Sequence, residues 1–202
     1  MTVACLAAIG SAGSIGLFEA NCDIGTGLRA GKVETGAGGE LRVTGGGADM
    51  WGKADAFHFV WKKVSGDVSL TADVQLMGAS TQEKRKAALM IRQSLDADAA
   101  YADIAFHGNG EIAAQWRLTA GGPTADTMMP NFLDTDTPQR ISIRRQGNTF
   151  TVMAGKPGGP LTALAPMTVN LADPVYIGLA VCSHDAGGLT TAVFRNVKLE
   201  GR

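Results

Sequence analysis

The sequence predicts an all-β protein, built as an antiparallel two-sheet β-sandwich or jelly roll. Apolar and polar residues alternate over many short segments, which is the period of strands. Glycine is abundant, with 27 of 202 residues, and it clusters with Asp, Thr and Asn between the apolar segments, as turns require. No segment shows the pattern of an amphipathic helix. Strands separated by turns at short, regular intervals are typical of sandwiches and jelly rolls.

About a dozen strands are predicted from this alternation. The clearest is 68–76, where every second residue from Val68 to Leu76 is apolar or Ala. We expect the apolar positions to face the core and the polar ones to face water. The closing strand, 191–199, is predicted with Val193, Val197 and Leu199 inward. The remaining predicted strands are 32–35, 41–44, 57–63, 86–94, 101–107, 111–119, 140–145, 149–154 and 175–183.

Three hairpins are predicted from short turns between these strands. The turn at 65–67 would join strands 57–63 and 68–76, and the turns at 107–110 and 146–148 would form two more. The long segment 120–138 is predicted to be irregular, because it is rich in Gly, Pro and Asp.

Composition excludes several classes of protein. Lys and Arg total 18 against 19 Asp and Glu, so attraction to nucleic acid or to an anionic membrane is not expected. No apolar run approaches the ~20 residues of a membrane-spanning helix. Residues 1–16 are small and apolar, and we expect a leader remnant or a disordered tail there. Residues 17–202 are expected to form one domain.

The cysteines leave two alternatives open. If Cys5 belongs to a leader, the domain retains Cys22 and Cys182. These two form a disulfide in an oxidising compartment or stay as buried free thiols.

Three stretches of the chain carry a resemblance to a known family. They are residues 47–74, with Trp-Gly-x-Ala-Asp-x-Phe-His-Phe, residues 86–117, with Met-Ile-Arg and Gln-Trp-Arg, and residues 175–199, with Gly-Leu-Ala-Val-x-Ser-His. In order and spacing they resemble the concanavalin A-like jelly-roll modules of bacterial secreted and envelope proteins. In detail they are most similar to the module that precedes TolB-like β-propellers. The resemblance implies this fold and a periplasmic or secreted location. It is compatible with binding glycans, binding proteins or hydrolysing polysaccharides.

Candidate ligand-binding residues follow from what a glycan requires, namely an aromatic surface beside polar groups. Trp51 lies in a turn and is a candidate platform, whereas the two mid-strand tryptophans are expected in the core. Arg92, Gln115 and Arg117 lie opposite the apolar faces of two strands, and Tyr101 shares their surface if the strands are neighbours. The alternative for this group is an ordinary solvated sheet face.

His184 is the last binding candidate. Its neighbours Ser183 and Asp185 do not form a catalytic relay with it, because consecutive side chains diverge. The alternative is that His184 caps a strand end or hydrogen-bonds a loop.

Metal and catalytic signals are weaker. Asp23, Asp49 and Asp55 lie in predicted loops and could supply calcium ligands, although loop aspartates also cap turns. The paired carboxylates of a polysaccharide hydrolase are absent from any one strand, since Asp73 and Asp103 sit alone on theirs. We therefore expect no catalytic activity and no cofactor other than calcium.

The leading prediction is a module that binds carbohydrate or an envelope polymer. The alternative is a protein-interaction or spacer module, alone or beside a β-propeller, and a hydrolase is third.

Overall fold

The protein is all-β, as its sequence predicts. The computed structural model describes residues 15–78, 82–129 and 133–201, so most of the predicted leader or tail, 1–16, lies outside the described residues. Within those ranges there is one short 3₁₀ helix, Ala37–Gly39, and no helix has the length and apolar character required to cross a membrane. The strands in the same ranges are β1 Ala20–Ile24, β2 Lys32–Thr35, β3 Leu41–Gly47, β4 Met50–Trp51, β5 Ala54–Asp55, β6 Phe57–Val64, β7 Val68–Met77, β8 Lys86–Arg92, β9 Tyr101–His107, β10 Ile112–Arg117, β11 Thr124–Met129, β12 Gln139–Gln146, β13 Thr149–Gly155, β14 Leu161–Ala163, β15 Met167–Thr168, β16 Val175–Cys182 and β17 Asp185–Gly201.

The strands form two large antiparallel sheets. The first has the order β1-β6-β16-β8-β9-β10-β11. The second has the order β14-β13-β12-β7-β17-β3-β2, with β15 beside β13. The strands β4 and β5 pair only with each other, as a small hairpin. The predicted two-sheet antiparallel sandwich is therefore confirmed.

The main core lies between the sheets. Strand β7 contributes every second residue to it, so the predicted inward face of 68–76 is confirmed. Strand β8 contributes Ala87, Leu89 and Ile91, and the facing positions of the other sheet include Ile141, Ile143 and Phe150. These side chains are fully buried, and this apolar burial is the dominant stabilising term of such a sandwich.

Two predictions of connectivity are wrong. Strands β6 and β7 do not form a hairpin, because β6 pairs with β1 and β16 whereas β7 pairs with β12 and β17. The turn at 65–67 carries the chain from one sheet to the other. The segment 120–138 is not irregular throughout, since β11 pairs with β10 along its whole length. The hairpins β9–β10 and β12–β13 are confirmed.

Strand β17 contains an irregularity that the alternation did not reveal. The register shifts between Arg195 and Lys198, which indicates a β-bulge. Before the shift Ala192 and Phe194 belong to the main core. Val193 is fully buried as well, but it alternates with them and therefore lies on the other face of the sheet. After the shift Val197 and Leu199 pack against the core, as predicted.

The cysteine alternatives are both overturned. Cys182 is a free, fully buried thiol, so it is not bonded to Cys22. Cys22 is itself disulfide-bonded, so the two are not a pair of free thiols either.

We expect Cys182 to be unreactive in the folded protein. Burial raises the pKa of its thiol to about 12, which leaves a thiolate fraction at pH 8 roughly 10³-fold below that of an ordinary cysteine. Iodoacetamide labelling, followed by mass spectrometry of the peptide containing Cys182, should be correspondingly slow. The same peptide should be labelled rapidly in urea. Fast labelling without urea would contradict the buried position.

Candidate binding site

The outer face of the first sheet is covered by a second apolar layer. On β8 the residues that point away from the main core, Ala88 and Met90, belong to this layer, as do Phe57 and Phe59 of β6. The β4–β5 hairpin lies over this face and buries Met50 in it completely. Residues 57–61 of the sequence are apolar or aromatic on both sides of the strand apart from His58, but the sequence does not indicate what covers the outer side.

An ion-paired cluster fastens the hairpin to the sheet. Asp55 of β5 accepts two hydrogen bonds from Arg117 of β10, at 2.6 Å and 2.9 Å. Its Oδ2 also lies 3.3 Å from Nη2 of Arg92 on β8. The two arginines are fully buried and Asp55 is nearly so. Because two cations surround one anion, removal of Asp55 would leave like charges buried together.

The same arginines also hold neighbouring backbone. Arg92 donates to the carbonyl of Asp96 at 2.6 Å, and Arg117 donates to the carbonyl of Ala99 at 3.1 Å. Arg117 also reaches the carbonyl of Gly52 in the hairpin turn. Burial lowers the pKa of Arg117, but the hydrogen bonds and charge of Asp55 outweigh burial and raise that pKa above its ordinary value. The cluster therefore joins the sheet, the hairpin and the 96–99 loop.

The structure brings the predicted polar group together but does not expose it. Strands β8, β9 and β10 are neighbours, and the Arg117 guanidinium lies 5.0 Å from the Tyr101 ring centre. Arg92, Tyr101 and Arg117 have no exposed surface, and Gln115 is 3% exposed. The interpretation as a solvated sheet face is therefore wrong. Asp55 and backbone carbonyls hold the guanidinium of Arg117 and Nη2 of Arg92, whereas Nε and Nη1 of Arg92 have no hydrogen-bond partner among the described residues. Both groups are buried beneath the hairpin and do not reach its outer surface.

Asp103 was not identified as a site residue from the sequence. It lies on β9, directly opposite Gln115 of β10, and it is completely buried. Within the described part of the chain, neither carboxyl oxygen of Asp103 nor Oε1 of Gln115 makes a hydrogen bond of ordinary geometry. The charge of Lys86 and the backbone of Gln115 favour the ionised form of Asp103, but burial outweighs both. Burial raises the pKa of Asp103 well above its ordinary value. At the end of the same strand, burial lowers the pKa of His107 to about 4. A charged residue in an alternating strand is ordinarily read as facing water, which is why sequence reasoning missed this group.

Each of the three candidate calcium ligands lies beside a basic side chain. Asp23 accepts a hydrogen bond from Gly31 and lies 2.7 Å from His58 Nδ1. Asp49 pairs with Lys86 at 2.5 Å, and Asp55 belongs to the arginine cluster. In the described ranges, no three His, Cys, Asp or Glu side chains are grouped so that they could hold a metal ion. Calcium binding stays a prediction.

An open cleft lies beside the hairpin. Its volume is about 680 Å³, within the range of small-ligand sites, and it lies between residues 25–26, 48–49, 54–56 and 96–98. Asp96 and Asp98 are exposed carboxylates of its wall. Trp51 is 37% exposed and is the cross-strand partner of Ala54, which lines the cleft. Directly opposed residues have Cβ atoms about 5 Å apart, so Trp51 lies beside a residue of the cleft wall, although it does not line the cleft itself.

His184 lies beside Asp49, at the carboxylate oxygen that does not pair with Lys86. Its Nε2 is 3.3 Å from Asp49 Oδ2, and its side chain is about one-third exposed. Its backbone adopts a φ of 56°, a left-handed conformation that fits a turn at a strand end. This ion-pair contact places His184 next to the cleft wall at Asp49, and its role as a ligand-binding residue stays a prediction.

No family model matches the sequence, and no curated protein matches it. Solved structures match its fold. A functionally unknown protein from Saccharomyces cerevisiae superposes with a TM-score of 0.70 and 14% identity, over 85% of this chain and 92% of that one. The carbohydrate-binding module CBM66 from Bacillus subtilis gives 0.60 and 14%, over 92% and 98%. The β-glucanase of Bacillus licheniformis gives 0.53 and 11%, over 84% and 82%.

These similarities agree with the arrangement of the strands. At such low identities they establish the fold alone. The chain is a concanavalin A-like jelly roll, and its structural neighbours include both a carbohydrate-binding module and a glycoside-cleaving enzyme.

Proposed function

We propose that this protein is a non-catalytic carbohydrate-binding module that acts outside the cytoplasm. Its ligand would lie in the cleft beside the hairpin, against the exposed face of Trp51. The observation that carries this proposal is that the exposed Trp51 is paired with Ala54, a residue of the wall of an open cleft that Asp96 and Asp98 also line.

The chemistry of the cleft suits a sugar. A pyranose ring has an apolar face that stacks on an indole and a rim of hydroxyl groups that donate hydrogen bonds. Exposed carboxylates are strong acceptors for such donors. The cluster of Asp55, Arg92 and Arg117 fixes the hairpin, so the indole would be held in place before the ligand arrives, which reduces the entropy lost on binding.

The fold supports binding at a coarse level, because CBM66 matches this chain over nearly all of its own length. The β-glucanase shares the fold as well, so hydrolysis is the competing proposal. Two of the cleft carboxylates are held in ion pairs, Asp49 with Lys86 and Asp55 with the arginines. A carboxylate neutralised in this way suits a structural role better than that of nucleophile or acid, which supports the non-catalytic reading.

Affinity electrophoresis in a broad panel of soluble polysaccharides tests the proposal. We expect at least one polysaccharide to retard the protein and Trp51→Ala to weaken that binding roughly 10- to 100-fold, or ~1.4 to 2.8 kcal/mol. The matched control is Leu189→Ala, because Leu189 is 40% exposed and lies outside the cleft. Absence of retardation across the panel, or equal loss in both variants, would contradict the proposal.

Two further measurements separate the alternatives. Release of reducing sugar from a retained polysaccharide would favour the hydrolase. Absence of all glycan binding, together with capture on a purified TolB-like β-propeller, would favour a protein-interaction or spacer module. In either case the fold would be unchanged and the role of Trp51 would be different.

A further inference from the structure

Strand β11 forms one edge of the first sheet and is unusually exposed. Four of its six residues, 125–128, are exposed, and Met128 is 40% exposed. An edge strand presents unpaired backbone N–H and C=O groups that can pair with another strand. Its sequence contains no Pro, no Lys and one charged residue, Asp126, so it lacks the residues that usually prevent such pairing.

The other sheet edges are better protected. Strand β2 carries Lys32 and Glu34, strand β14 has three residues, and none of the residues of β1 is exposed. Charge and short length are the common means by which proteins block edge pairing. Within the described residues, β11 is therefore the long edge that is open and nearly uncharged.

The direction of the free backbone groups follows from one hydrogen bond. In an antiparallel pair, successive residues direct their N–H and C=O groups alternately toward and away from the neighbouring strand. Thr124 donates its backbone N–H to the carbonyl of Gly52 at 2.9 Å, in the hairpin turn, and not to β10. Asp126 and Met128 share the parity of Thr124, so their backbone groups point outward as well. The β4–β5 hairpin pairs with the outward backbone N–H of Thr124. Among the described residues, no further strand pairs with the outer side of 125–129.

We propose that β11 pairs antiparallel with β11 of a second copy of this chain, which joins the two first sheets across a two-fold axis at Thr127. A two-fold axis perpendicular to the sheet keeps every side chain on its own face, so only residues of equal parity can be opposed. Centring on Thr127 places Asp126 opposite Met128 of the second copy and uses the free backbone groups of both. Centring on Asp126 would oppose two carboxylates, which is unfavourable. A formal net charge of −1 leaves little overall repulsion between copies.

Sedimentation velocity of the purified protein over roughly 5–500 µM tests the pairing and its register. We expect a reversible dimer, weak because the paired segment is short. Met128→Lys places an ammonium opposite the Asp126 carboxylate twice per dimer and should tighten dimerisation roughly 2- to 30-fold. Met128→Asp opposes two carboxylates twice and should weaken it by a similar factor.

Leu189→Lys and Leu189→Asp are the matched controls, because Leu189 has the same 40% exposure on the other sheet. They should leave the dimer unchanged. A wild-type monomer over the whole range would overturn the proposal. A dimer that responds equally to Lys and Asp at residue 128, or that responds to the Leu189 variants instead, would also overturn it. Glycan binding is scored separately, so failure of the dimer leaves the proposed function standing.

Discussion

Replacing Asp55 with alanine is expected to lower the free energy of unfolding by about 3–5 kcal/mol. Asp55 is the carboxylate that accepts from Arg117 and lies beside Arg92, and all three side chains are buried. Without it, two guanidinium groups would face each other in the interior with no counter-charge. Water would have to enter, or the hairpin would have to detach.

Urea denaturation at pH 7 measures this loss. The control is Glu34→Ala, which removes a carboxylate from the exposed Lys32–Glu34 pair and should change the unfolding free energy by less than about 0.5 kcal/mol. Adding Arg92→Met to Asp55→Ala should restore part of the stability, because it removes one of the two unmatched charges. A loss below about 1 kcal/mol in Asp55→Ala would mean that the cluster does not fasten the hairpin. Hydrogen exchange should show the accompanying loss of protection in the hairpin.

Replacing Asp103 with asparagine is expected to stabilise the protein at neutral pH, by about 1–3 kcal/mol. The carboxyl group of Asp103 is fully buried and makes no hydrogen bond of ordinary geometry in the described part of the chain. Asparagine has nearly the same shape and carries no charge. Its amide can donate to Oε1 of Gln115, which lies on the opposed residue and also lacks such a bond.

The pH dependence of this difference has a definite sign. Burial raises the pKa of Asp103 well above the ordinary value of 3.8. Between pH 3.8 and the raised value, the folded protein holds a proton that the unfolded chain has lost, so the contribution of Asp103 to stability falls as the pH rises. Asp103→Asn removes this term. Its stabilising effect should therefore be small near pH 4 and should increase toward neutral pH.

Chemical denaturation of both proteins at each pH unit from 4 to 8 gives the difference directly. Asp73 and Asp173, whose pKa values are lowered and which do not interact with Asp103, contribute equally to both proteins. Asp126→Asn, an exposed aspartate on the edge strand, is the control and should show no such trend. A difference that does not vary with pH would show that Asp103 titrates as an ordinary carboxyl group.

The strands themselves were readable from the sequence. Alternation in 68–76 fixed which residues of β7 face the core, and the turns at 107–110 and 146–148 correctly joined neighbouring strands. The turn at 65–67 looks similar locally but connects two sheets. A short polar turn brings two strands close in space, and it does not decide which strands they pair with. Strands β4 and β5 have two residues each, and the six residues of β11 do not alternate between polar and apolar, so these three could not be distinguished from loops.

The binding site was predictable in part. Trp51 was a candidate platform in a turn, and it is exposed and paired with Ala54, which lines a cleft. Arg92, Tyr101 and Arg117 were correctly grouped on one face, but their burial depends on Met50 and Asp55, which lie far from them in sequence. Periodicity gives the face on which a side chain lies and carries no information about what covers that face.

The sequence by itself determined an all-β sandwich, the inward face of its clearest strand and a small set of candidate residues, because these follow from local alternation and turn chemistry. Tertiary structure alone decided that the arginines fasten a hairpin, that Asp103 is completely buried and that β11 is an open edge among the described residues. Each of these depends on contacts between distant segments. The pairing energy of such contacts is set by three-dimensional proximity and by exclusion of water, and neither is encoded in any single stretch of the chain.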